Sequence, residues 1–146
     1  MFDTIIIGAG ITGTAVAHFI SKTALSVLVV EAKEDVAEGS TKANSAIVHA
    51  GYDAKPGTLK AKYNVEGNLM YPALAKQLGF PFLNNGSLIL CFDEKDRNKL
   101  EELLHRGEQN GVEDLRIVER EELLKLEPEM FEEGEALYES FKAQFA

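Results

Sequence analysis

Tryptophan is absent and cysteine occurs once, as Cys91. A single thiol excludes an internal disulfide framework and any multi-cysteine metal cluster built by this chain alone. No apolar run approaches the length of about 18 residues that a membrane-spanning helix requires. The opening Met1-Phe2-Asp3-Thr4 has no basic region and no small-residue cleavage site, so no secretory signal is expected. Basic residues are few: 15 lysines and arginines stand against 24 acids, a net charge of −9. That balance argues against nucleic acid as a partner. Together these absences favour a reducing, cytoplasmic setting.

What is present is the composition of a globular protein, 45% apolar and 27% charged over 146 residues. The length suits one ordinary domain or the first part of a larger one. Charge is unevenly spread. Residues 93–135 hold 16 acids and 7 bases, a balance of −9, so the remainder sums to zero. Such a block is either a solvated helical surface or an acidic face for a basic partner, and nothing else in the sequence favours the second.

Residues 3–7, Asp-Thr-Ile-Ile-Ile, stop at Gly8 and read as a strand covered on both faces. Residues 11–22 read as a helix, with Ile11, Ala15 and Phe19 on one stripe and Val16 and Ile20 beside it. Residues 25–30 form a second strand ending at Glu31. Strand, helix and strand in this order predict a parallel βαβ unit. Residues 32–57 are small, polar and glycine-bearing, a loop whose length suggests function or mobility.

Residues 58–78 return to helical spacing through Leu59, Tyr63, Met70, Leu74 and Leu78. Gly67 and Pro72 inside that pattern predict a kink or two consecutive helices. A strand is expected over 87–92, then a helix opened by Asp93 with Asp96 in its first turn and ended at Gly111. Residues 115–118 suggest a short strand and 119–126 a short helix stopped by Pro128. The last dozen residues show no clear pattern.

The strongest signal is Gly8-Ala9-Gly10-Ile11-Thr12-Gly13. A strand precedes it, a helix follows, a second strand comes next, and Glu31 ends that strand 18 residues after Gly13. Gly8 permits the tight turn, Gly10 leaves room for a pyrophosphate, and Gly13 lets helix and strand pack closely. The amides and dipole at the helix start attract phosphate. Glu31 would accept hydrogen bonds from ribose hydroxyls, and no arginine follows it to favour a 2′-phosphate. The motif therefore reads as a site for an adenine dinucleotide, FAD or NAD. The polar stretch from Gly39 to Tyr52 suits a long cofactor that is buried and retained.

The chain resembles the amino-terminal part of the D-amino-acid oxidase superfamily of FAD-dependent enzymes. Within it, the match is to FAD-dependent glycerol-3-phosphate dehydrogenases and L-2-hydroxyglutarate oxidases. Gly8 to Gly13 with Ala17, Glu31, Asn44-Ser45, Ile47, His49, Gly51, Lys55 to Ala61 and Glu66-Gly67-Asn68 carry it. Pro81-Phe82, Asn85-Gly86-Ser87 and Asn110-Gly111-Val112 extend it, so that it covers residues 3–138.

The resemblance implies an α/β fold: an incomplete Rossmann-like FAD/NAD(P)-binding domain followed by the start of an α+β substrate domain. It implies an FAD-binding βαβ unit with flavin loop and following helix over 1–80, the start of the substrate domain over 81–138, and a non-matching tail over 139–146. It implies FAD as the cofactor. Gly8, Ala9, Gly10, Ile11, Thr12 and Gly13 would hold its pyrophosphate, and Glu31 with Ala32 its adenosine ribose. Ser40, Thr41, Asn44 and Ser45 would follow the pyrophosphate and ribityl chain, with Ile47 and His49 near the flavin ring.

His49 reads either as a catalytic side chain at flavin or substrate or as a packing residue of a buried loop. His18 and His105 read as surface or packing residues, and Cys91 as a small core residue. Lys42 reads equally as a phosphate contact or an exposed loop lysine. The implied reaction is oxidation of the CH–OH group of a small anionic substrate, glycerol 3-phosphate giving dihydroxyacetone phosphate. L-2-hydroxyglutarate or another 2-hydroxy acid is the alternative, and a non-catalytic dinucleotide-binding fragment is a third reading. The family continues where this chain ends, so the expectation is a truncated or amino-terminal piece that holds FAD weakly or not at all alone and tends to self-associate. The electron acceptor and the oligomer stay open, as does a membrane-peripheral location for the full-length family.

Overall fold

The computed structural model of the chain describes residues 1–128 and 139–143. It divides into two compact units, 1–47 and 48–146.

The first unit is the expected parallel βαβ arrangement. Strand β1 (Thr4–Ile7), helix α1 (Ile11–Ile20) and strand β2 (Val27–Val30) follow one another, and β1 pairs with β2 in parallel from Thr4↔Val27 to Ile7↔Val30. A polar clip sets this register at its open end. The Asp3 carboxylate accepts from the Ser26 amide at 2.8 Å and from the Ser26 hydroxyl, while the Asp3 amide donates to Ser26 Oγ at 3.0 Å. These bonds hold the Asp3 carboxyl below the usual carboxylate range, the Ser26 hydroxyl contributing most.

The inward side of α1 differs from the expected stripe. Ile11, Val16 and Phe19 are exposed, whereas Gly13, Ala15, Ala17, His18 and Ile20 are partly buried. Close contact at Gly13 sets this rotation: a Cβ there would lie 1.9 Å from the Gly8 carbonyl oxygen and 3.3 Å from Ile6 Cγ2. Because α1 sits so near the strands, small residues predominate on the inward side, and Ile11, Val16 and Phe19 turn outward. On β1, Ile5 and Ile7 are exposed, Ile7 at 90%.

The second unit begins with a loop and then helix α2 (Leu59–Leu78), a single element of 20 residues rather than two helices. Both ends are capped. Thr58 Oγ1 accepts from the Ala61 amide at 3.2 Å, and Gly79 closes the helix in the left-handed conformation, φ 73°, donating to the Ala75 carbonyl at 2.9 Å. Ala61, Asn68 and Ala75 are buried at successive seven-residue steps, so the halves on either side of Pro72 are anchored along one face. The expected stripe is displaced here too: Leu59, Tyr63, Met70 and Leu78 are exposed, and small residues meet the core.

Strand β3 (Ser87–Cys91) follows, then a 3₁₀ turn at Glu94–Asp96 and helix α3 (Arg97–Gln109). Asp93 caps the turn by accepting from the Lys95 amide at 3.0 Å. Asn110 caps α3, and Gly111 takes a positive φ of 79° beyond it. Strand β4 (Leu115–Glu119) leads directly into helix α4 (Arg120–Leu126). Strand β5 (Glu139–Ala143) lies within the stretch that showed no pattern in the sequence. It is the middle strand of an antiparallel sheet ordered β3-β5-β4, with Ile89 and Ile117 both opposite Phe141.

The core of this unit gathers Ala50, Cys91, Leu100 and Val112, with Tyr52, Val65, Ile89, Leu104, Leu115 and Ile117 packed against them. Cys91 is a buried core residue whose thiol donates to the Asp93 carbonyl at 3.1 Å. A smaller cluster joins Val118 and Leu123 to Leu88 and Leu90. Among the described residues no helix is long and apolar enough to cross a membrane.

Candidate functional site

The site in the first unit is built around the turn between β1 and α1. Gly8 leaves the strand at φ 101°, a conformation that suits glycine, and its amide closes the ladder by donating to the Val30 carbonyl at 2.7 Å. Gly10 caps α1 in extended conformation. Gly13 has no room for a side chain, as the close approach of the Gly8 carbonyl shows.

Segment 37–46 folds back onto this turn. The Ala37 amide donates to the Ala9 carbonyl at 3.1 Å, and the Ile11 amide donates to Thr41 Oγ1 at 3.0 Å. A Cβ added at Gly10 would meet that same Thr41 oxygen at 3.2 Å. Thr41 is in turn held by Asn44, whose Nδ2 donates to the Thr41 carbonyl and whose Oδ1 accepts from the Ala46 amide at 2.7 Å. Ser40 accepts at its carbonyl from the Ala43 amide at 3.2 Å.

Glu31 ties β2 to the glycine turn. One carboxylate oxygen accepts from the Ala9 amide at 2.7 Å, and the other accepts from the Ala32 and Lys33 amides at 2.8 and 3.0 Å. The Ala9 bond, followed by the Lys33 bond, lowers the Glu31 pKa from its ordinary value. A carboxylate offers about four acceptor positions, so these three bonds leave the Ala9-bound oxygen able to take one more donor.

The structure thus brings Gly8 to Gly13, Glu31, Ala32, Ser40, Thr41 and Asn44 into one unit and links most of them by hydrogen bonds. Ala9 is buried at 3% exposure, with both its amide and carbonyl engaged. Among the described residues the amides of Gly10, Thr12 and Gly13 have no partner. They lie at or just before the start of a ten-residue helix, where unpaired donors and the helix dipole favour an anion. The side-chain-free Gly10 and these amides fit a pyrophosphate.

Ser45 and Ile47 are exposed at the end of this unit, and His49 belongs to the second. The His49 side chain is exposed and its carbonyl accepts from Asn68 Nδ2 at 3.2 Å. Sequence reasoning missed two features: the Ala37 tie to Ala9, and the side chains Asn68, Arg106 and Asn110 that hold the segment after His49. Asn68 and Asn110 stood among the family-like residues, but a polar residue within a helical pattern gives no sign of which distant carbonyl it will meet.

Comparison with known proteins bears on this geometry. A family model described as FAD dependent oxidoreductase (DAO) matches residues 3–144. A glycerol 3-phosphate dehydrogenase of Caloramator mitchellensis is 50% identical over 128 residues, which is 88% of this chain and 27% of the relative. A glycerol 3-phosphate oxidase of Mycoplasma pneumoniae is 40% identical over 129 residues, 86% of this chain and 34% of the relative. The mitochondrial L-2-hydroxyglutarate dehydrogenase of Bos taurus is 37% identical over 129 residues, 87% of this chain and 28% of the relative.

Among solved structures, an L-alpha-glycerophosphate oxidase from Mycoplasma pneumoniae with FAD bound superposes with a TM-score of 0.85 at 34% identity. That superposition covers 99% of this chain and 38% of the oxidase. The chain spans about a third or less of the length of these curated relatives. The family match includes most of the segment that the resemblance left out, since it runs through β5. By the extent of that match, the chain belongs to the DAO family of FAD dependent oxidoreductases.

Proposed function

We propose that this chain supplies the dinucleotide site of an FAD-dependent oxidoreductase acting on the CH–OH group of glycerol 3-phosphate. The observation that carries the cofactor reading is the glycine turn with three unpaired amides at the start of α1 and Glu31 fastened beside it. Identity to a glycerol 3-phosphate dehydrogenase, 50% against 37% for the L-2-hydroxyglutarate dehydrogenase, supports this substrate over the alternative.

In this reading Gly10, Thr12 and Gly13 donate their amides to the pyrophosphate. Gly8, Ala9 and Ile11 shape the turn, and Glu31 with Ala32 holds the adenosine ribose. Ser40, Thr41, Asn44 and Ser45 follow the cofactor away from the turn, and Ile47 and His49 stand at the flavin ring. Glu31 receives a ribose hydroxyl at its remaining acceptor position or by exchanging a backbone partner. FAD, when bound, would supply the hydride acceptor for oxidation of the carbinol to the ketone of dihydroxyacetone phosphate, with loss of the hydroxyl proton. In this reading His49 is the group of this chain that receives that proton. Residues 1–80 form the cofactor part and the substrate domain starts at 81, in a cytoplasmic protein.

Anaerobic mixing of the FAD-loaded protein with glycerol 3-phosphate tests this reading. Bleaching of the visible flavin band is the expected result. Bleaching by L-2-hydroxyglutarate in place of glycerol 3-phosphate selects the alternative substrate. Bound FAD that neither substrate bleaches makes this a non-catalytic dinucleotide-binding member, and the proposal then fails.

A further inference from the structure

Residues 49–54, His-Ala-Gly-Tyr-Asp-Ala, form neither helix nor strand, yet Ala50, Gly51 and Ala54 are buried. Buried backbone outside a ladder has to find other partners for its carbonyls. Four carbonyls here find them on side chains from two helices. His49 accepts from Asn68 Nδ2 of α2 at 3.2 Å. Gly51 and Ala54 both accept from Asn110 Nδ2, at the cap of α3, at 2.8 and 2.7 Å. Asp53 accepts from Arg106 Nη1 of α3 at 3.2 Å.

Shape adds to these ties. Gly51 sits at φ 110°, and a Cβ there would come within 2.5 Å of Val65 Cγ2 on α2. A Cβ at Gly107 of α3 would come within 3.0 Å of Tyr52 Cβ. Asn68 is buried, and the Asn110 Oδ1 atom is buried with no hydrogen-bond partner among the described residues. What Asn110 contributes is its amide nitrogen, which spans two carbonyls. The His49 side chain stays exposed with no partner among the described residues.

We infer that Asn68, Asn110 and Arg106 are positioning residues for the segment 49–54: they fix its carbonyls and thereby the direction in which the His49 side chain leaves the backbone. The inference rests on the proposed placement of His49 at the flavin ring and adds the groups that would hold it there. None of the three touches cofactor or substrate in this role.

Asn68→Asp and Asn110→Asp in this chain test it. Each keeps side-chain shape but faces the carbonyls with a carboxylate at neutral pH, and with a hydroxyl donor once protonated. Hydrogen exchange in peptides covering 48–57 is expected to rise roughly tenfold over the parent at neutral pH. The ratio to the parent should fall again on acidification, fully for Asn68→Asp and partly for Asn110→Asp. The imidazole resonances of His49 should move while those of His18 and His105 stay. Arg106→Met removes the outermost tie with little burial at stake and should give a smaller rise. It decides the matter if an aspartate variant does not fold.

Unchanged exchange with unchanged His49 resonances in folded variants overturns the inference. A rise that acidification does not reverse is packing damage and also overturns it. In FAD-loaded protein the variants should alter the visible flavin spectrum at unchanged stoichiometry, and an unaltered spectrum overturns the positioning role. An FAD-loaded parent that neither substrate bleaches sinks the proposed function instead, while exchange and the His49 resonances still decide whether the segment is held this way.

Discussion

Glu31 is asked to do two things with one carboxylate. In the structure it fastens the glycine turn through the Ala9 amide and closes the end of β2 through Ala32 and Lys33. In the proposed function it also reads a ribose. Removing it as Glu31→Ala is expected to weaken FAD binding by roughly tenfold or more, measured by titration against flavin fluorescence. Equal affinity removes the ribose role. The same residue sets a pH dependence. Its folded pKa lies below the ordinary value because the Ala9 amide favours the charged form. The stabilisation it gives is therefore complete above the ordinary carboxylate range and is lost as pH falls through the folded value. The Ala9 amide resonance should follow this acid-side transition in the parent and be flat in Glu31→Gln. Movement on the alkaline side would contradict the assignment.

Two glycines separate a necessary backbone from a dispensable one among the helical elements. Gly13→Ala drives a methyl into the Gly8 carbonyl, 1.9 Å away before relaxation. The α1–β1 contact must then open, and a loss of about 1–3 kcal/mol is expected in urea unfolding. Gly67 lies inside α2, where an added Cβ meets nothing within 4 Å. Gly67→Ala should instead stabilise by about 0.5–1 kcal/mol, because alanine loses less backbone entropy on entering a helix. A destabilised Gly67→Ala in the same assay would mean that this face of α2 is covered in solution. At Gly10 the expected outcome concerns ligand rather than fold. Gly10→Val should abolish FAD retention and leave β1 formed, because the branched side chain occupies the approach to the free amides. A yellow Gly10→Val protein would show that the turn is not the pyrophosphate site.

Over the whole molecule, exposed apolar surface and acidic charge act against each other. Ile5, Ile7, Val29 and Val30 leave apolar side chains of the β1–β2 pair open to solvent, and among the described residues no third strand joins this sheet. The excess of acids over residues 93–135 opposes association by repulsion. Salt screens the repulsion and leaves the apolar attraction. The chain by itself is therefore expected to self-associate, more strongly at high ionic strength, in light scattering coupled to size exclusion. Ile7→Lys should reduce that association. A parent that stays monomeric at all salt concentrations would count against an adhesive β1–β2 pair.

The βαβ order, the glycine turn and Glu31 could be read from the sequence because each depends on neighbours close along the chain. A short apolar run makes a strand, glycine at fixed spacing makes the turn, and an acid ends the next strand. The caps at Asp93 and Gly111 are local in the same sense. Which helix face turns inward was not available there. Large apolar residues suggested the stripes of α1 and α2, but the close approach at Gly13 and the buried line Ala61, Asn68 and Ala75 bring small residues to the contacts. Strand β5 was hidden for a related reason. Its place between β3 and β4 comes from backbone pairing with segments tens of residues away, and backbone hydrogen bonds leave little trace in side-chain pattern. The ties from Asn68, Arg106 and Asn110 to the segment after His49 belong to the same class. Local chemistry was settled by the order of residues, whereas the partners of distant carbonyls were settled only when the helices packed.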